Sequence, residues 1–99
     1  MTHASSTGRD ALISGLRGIA DYLAATPEVP VTGDATVFAF PPHGEWAAMC
    51  AEIDGIAAIL GVTARLTRSG HYVATRWFGP VDYRAVAIPP KKSSSKESE

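Results

Sequence analysis

The last third of the chain alternates. The segments "VTARLTR", "HYVATRWF" and "VDYRAVAI", at 62–68, 71–78 and 81–88, put dissimilar side chains on successive positions and are separated by Ser69-Gly70 and Gly79-Pro80. Side chains in a strand point to opposite faces in turn, and glycine supplies the backbone conformations that tight hairpin turns need. The pattern therefore predicts three antiparallel strands in a meander, and whatever precedes them must pack against that sheet.

Upstream the period changes. Leu12, Leu16, Ile19 and Leu23 recur at helical spacing between Arg9 and Ala25, with Ile13 and Ala20 widening the stripe. Ser6 or Thr7 is the expected N-terminal cap, Asp10 suits the first turn, and Pro27 stops continuation. A proline-punctuated connector, "TPEVPVTGD", leads to "ATVFAF", a short buried-type strand closed by Pro41 and Pro42. A second helix is expected from Gly44 to Leu60, with Trp46, Met49, Cys50, Ile53, Ala57 and Leu60 on one face and Gly61 as its terminator.

The order is then α, β, α, β, β, β. This predicts an α+β fold: one four-stranded mixed sheet with two helices packed on one face. If the strands before and after the second helix share a sheet, they run parallel. The single domain is expected over 9–89, with a flexible start at 1–8 and a disordered polar tail, "PKKSSSKESE", over 90–99.

Composition narrows the function classes. Of the 99 residues 45% are hydrophobic and 19% charged, which suits a globular chain, and no apolar run reaches the roughly 20 residues of a membrane span. The start, "MTHASSTGRD", lacks the features of a secretory signal, and the single cysteine, Cys50, suits a reducing compartment, so the expected location is cytoplasmic with no membrane partner. Asn and Gln are absent, which removes the amides that read adenine edges in DNA.

No motif specifies a reaction. His43 and Glu45 form an H-x-E pair of the kind zinc deaminases use, but the P-C-x-x-C that completes such a site is missing. Glu52 and Asp54 are two apart on a helix and do not face each other. No serine stands in a nucleophile elbow and no glycine-rich phosphate loop follows a strand. The expectation is a non-enzyme with no metal and no cofactor.

Charge is distributed unevenly. Residues 1–61 carry two Arg against seven Asp and Glu, whereas 62–92 carry four Arg and two Lys against Asp82 alone. Aromatic and arginine side chains, the types that dominate binding hot spots, crowd the same region. The leading expectation is a protein-binding module acting through Tyr72, Arg76, Trp77, Phe78 and Arg84, its partner being itself, as a homo-oligomer and specifically a dimer, or another protein. The alternative is nucleic-acid binding by Arg65, Arg68, Arg76 and Arg84 with the aromatics. The overall charge of −1 lacks the basic footprint of a typical nucleic-acid binder. A third reading is a small hydrolase or deaminase using His43 and Glu45, which predicts a concave pocket where the two side chains converge; a plainer one, in which the rings complete a small core, leaves no surface function.

The phrases "GLRGIADYLAATPEVPV", "EIDGIAAILGV" and "RWFGPVDYRAVAIP" together resemble a group of small proteins of uncharacterised activity in actinobacteria, their phages and mobile elements. The likeness spans Ala11 to Pro89 and implies a bacterial or phage source. It agrees with a GC-rich genome, which the lack of Asn and Gln and the confinement of Lys to the last nine residues also suggest.

Overall fold

A computed structural model of the chain describes residues 2–90, and side chains from residue 8 onward. The elements are α1 (Thr2–Ala25), β1 (Ala35–Ala39), α2 (Trp46–Leu60), β2 (Arg65–Leu66), β3 (Tyr72–Phe78) and β4 (Val81–Ala87), an α+β arrangement in the expected order. The polar tail lies, from residue 91 on, outside the described residues. The chain divides into two compact units, Met1–Thr32 and Gly33–Glu99.

In the first unit, α1 begins at Thr2 rather than Arg9, so the backbone at Ser6 and Thr7 is helical and neither is the terminal cap. Leu12, Leu16, Ile19 and Leu23 line one side of the helix. A turn from Thr26 follows, where the Val29 amide donates to the Thr26 carbonyl at 3.0 Å.

The second unit is a mixed sheet in the order β1-β4-β3-β2. β1 runs parallel to β4, and β4 with β3 and β3 with β2 are antiparallel. β1 and β2, the strands on either side of α2, therefore run in the same direction, but they occupy opposite edges because the β3–β4 hairpin lies between them. β2 is shorter than the pattern at 62–68 suggests: only Arg65 and Leu66 join the ladder.

Helix α2 lies on one face of β3 and β4. Met49, Ile53 and Ala57 pack onto Ala74, Ala85 and Ala87. Alanines on the strands leave room for the longer helix side chains, so Ile53 is fully enclosed. Tyr72, Tyr83, Leu60 and Val62 close the margin.

The end of α2 explains how the chain turns toward the sheet. Gly61 takes φ 74°, its amide donates to the Ala58 carbonyl, and the Val62 amide donates to the Ala57 carbonyl. This double closure needs a left-handed residue and brings Val62 into the core beside Ala57. The β3–β4 connection is equally constrained. Phe78 pairs with Val81 and Gly79 between them has φ 64°, the positive angle that the first central position of a type II′ turn requires.

Candidate interaction surface

Paired residues in a ladder share a face, so register assigns every strand side chain to a side. Ala74, Ala85 and Ala87 mark the side under α2. The alternate positions make the opposite face: Thr36 and Phe38 on β1, Asp82, Arg84 and Val86 on β4, Val73, Thr75 and Trp77 on β3, and Arg65 on β2. α2 is the only helix of this unit among the described residues, and it covers the other side. Trp77 is 58% exposed, Phe38 55% and Phe40 61%. Phe38 and Phe40 stand together at the β1 edge, and Trp77 lies two strands away on β3, with Arg84 of β4 between them on the same face.

A buried charge organises the centre of this face. Asp82 is 2% exposed, accepts a hydrogen bond from Thr36 Oγ1 at 2.7 Å, and receives Arg84 through Nε at 3.0 Å and Nη2 at 2.9 Å. A planar guanidinium held at two nitrogens has little freedom to turn. Its Cζ lies 5.9 Å from the centre of the Trp77 ring, within cation–π range. On the β1 side, Phe38 and Phe40 stack with centroids 5.9 Å apart and planes 11° from parallel.

Two shallow grooves cross the face. One, of about 420 Å³, lies on the β2 side among Thr63, Arg65, Thr75, Trp77 and Arg84. The other, of about 390 Å³, lies among Phe38, Phe40, His71, Val86 and Ile88. The first is lined by hydroxyls and arginines, the second mainly by hydrocarbon.

The residues expected to bind a protein divide between the two faces. Trp77 and Arg84 lie on the open one. Tyr72, Arg76 and Phe78 lie on the α2 side, where the Tyr72 hydroxyl donates to Asp54 Oδ1 at 2.6 Å and Arg76 Nη1 donates to the Leu60 carbonyl at 2.9 Å. Arg76 also stands 5.4 Å from the Phe78 ring. Of the four arginines of the nucleic-acid alternative, Arg65 and Arg84 share the open face, Arg68 is exposed between β2 and β3, and Arg76 is on the far side. Phe38 and Phe40 belong to the patch although the sequence reading did not select them. The signal was present: in "ATVFAF" both rings fall on one parity, with Val37 and Ala39 on the other.

Tyr72, Asp54 and Cys50 form a small polar group beside α2. The hydrogen bond to Asp54 raises the Tyr72 phenol above its ordinary value, with lesser contributions from desolvation and the nearby charges. Desolvation, then the Asp54 charge, raises the Cys50 thiol. Nothing here activates a nucleophile, because a raised thiol is a less available thiolate. His43 lines a hollow of about 170 Å³ with Pro41, Met49 and Glu52, and Glu45 is not part of it. Among the described residues no group of three or more His, Cys, Asp or Glu could hold a metal ion, and no helix is long and apolar enough to cross a membrane.

No family model, no curated protein and no solved structure matches this chain. A sheet face with exposed rings, a neutralised central arginine and one cationic margin suits contact with another broad surface better than enclosure of a small molecule, since the grooves at Arg65 and at Phe40 are open.

Proposed function

We propose that the chain is a non-enzymatic interaction module that self-associates through the open sheet face, in the cytoplasm, as an accessory protein of a bacterial phage or mobile element. The observation that carries this reading is the exposure of Trp77, Phe38 and Phe40 on the face opposite α2. Aromatic rings with arginine at the centre of a patch are the usual anchors of protein interfaces. The resemblance to small actinobacterial and phage proteins supports the biological setting. Replacing Trp77 and Phe38 by Ser should abolish concentration-dependent association in sedimentation while circular dichroism stays unchanged. Association that survives both substitutions would place the interface elsewhere.

A second reading has one observation in its favour: Arg65, Arg84 and Trp77 line the same groove, a combination that can clamp a phosphate and stack a base. It is weakened by Asp82, which already occupies the Arg84 guanidinium. This reading expects oligonucleotide affinity that falls steeply with salt. No binding, or a flat salt titration, dismisses it.

A further inference from the structure

We propose that two copies pack open face to open face about a twofold axis running along the strands, so that the β1 margin of each lies over the partner's β2 margin. This rests on the self-association reading and specifies its partner and arrangement.

The face has unlike margins. Register places Phe38 on β1 at one edge and Arg65 on β2 at the other, with β4 and β3 between. The phenyl pair Phe38 and Phe40 makes one margin a π-surface, and exposed Arg65 makes the other cationic. The central Arg84 is paired with Asp82, and Arg65 is the exposed cation of the β2 margin.

In the aligned class of sheet packing, sheets face to face keep their strands within about 30° of parallel or antiparallel, at about 10 Å separation. A twofold dimer of that kind has its axis in the plane between the sheets, either along the strands or across them. An axis across the strands sets each margin over its own copy, Arg65 above Arg65, and like charges opposed in an interface are repulsive. An axis along the strands exchanges the margins. Each Arg65 then lies over the partner's phenyl pair, converting a repulsion into two cation–π contacts. The charge pattern selects the second arrangement. Four strands about 4.8 Å apart make a narrow face, at the low end of specific interfaces, so the dimer should dissociate on dilution.

The test uses the full chain carrying Cys50→Ala, which removes its only thiol. Phe38→Cys and Thr63→Cys are prepared separately and treated with a short bismaleimide, because opposed sheets stand too far apart for a direct disulfide. A covalent dimer from the mixture, and none from either variant alone, is the expected result. Cross-linking of Phe38→Cys to itself would overturn the arrangement while leaving self-association intact. A wild-type chain that sediments as a monomer at every concentration would overturn the self-association reading beneath it. A dimer that cross-links in no combination would place the interface elsewhere and overturn both. Arg65→Glu covers the case in which loss of the Phe38 ring prevents pairing. Alone it should weaken association about tenfold, and mixed with wild type it should give an intermediate affinity. A mixture tighter than either parent would mean that Arg65 faces its own copy.

Discussion

The Arg84 guanidinium is turned onto the Asp82 carboxylate, at 2.9 Å from Nη2 and 3.0 Å from Nε, on the face of the sheet that α2 leaves open. An ion pair here does two things. It lets a carboxylate be almost wholly enclosed on a strand, and it sets a cation beside the Trp77 ring without leaving a net charge at the centre of the patch.

The two partners should respond unequally to removal. Arg84→Ala strands an enclosed carboxylate that keeps the hydrogen bond from Thr36, and a cost of about 3 kcal/mol is expected. In Asp82→Asn the arginine, a third exposed, can turn to water, so the loss should be nearer 1 kcal/mol. Urea unfolding followed by tryptophan fluorescence measures both, and an equal or reversed order would mean that the carboxylate is not the buried partner.

Tyr72 should ionise later than an ordinary phenol. Its phenol is raised above 10.0 first by the hydrogen bond it donates to Asp54. The stability this adds is complete below the ordinary phenol value and is lost as pH rises through the folded one. Absorbance titration should show a late component that Asp54→Ala removes. The same substitution takes away the charge that helps to raise the Cys50 thiol, so alkylation of Cys50 at a fixed alkaline pH should quicken.

Gly79 isolates a purely conformational cost. A Cβ there would meet no atom within 4 Å, yet φ is 64°. Gly79→Ala should therefore lose about 1–2 kcal/mol in urea unfolding with no clash against neighbouring atoms, because an L side chain is strained at this φ. A neutral substitution would mean that the turn relaxes to another type.

Arg76 separates fold from function. It donates to the carbonyl of Leu60 at the end of α2, where a cation also suits the helix dipole, so Arg76→Ala should cost about 0.5–1 kcal/mol. Because it lies on the α2 side of β3, the substitution should leave self-association unchanged in sedimentation. A fall in association would bring the α2 side into the interface.

The meander could be read directly because its turns are marked by glycines that now show positive φ, at Gly70 and Gly79, and because alternation survives in β3 and β4. The side that α2 would cover could not. β3 carries large groups on both sides, with Tyr72 and Phe78 opposite Trp77, and the choice rests on Ala74, Ala85 and Ala87, whose small size is a weak signal in an alanine-rich chain. Alternation alone therefore does not say whether Tyr72, Arg76 and Phe78 or Trp77 and Arg84 face the helix. β2 fell short because Val62 is drawn into the core by the closure at Gly61 before a ladder can begin. Strand order was equally out of reach, since a parallel β1 could have paired with β2 as easily as with β4 by direction alone.

Sedimentation velocity across a hundredfold range of protein concentration, on wild type and on Trp77→Ser/Phe38→Ser, tests the role of the open face most directly. The account requires wild type to move from one chain to two as concentration rises and the double variant to remain a single chain with an unchanged circular dichroism spectrum. A wild type that stays monomeric throughout, or a variant that dimerises equally well, would contradict it.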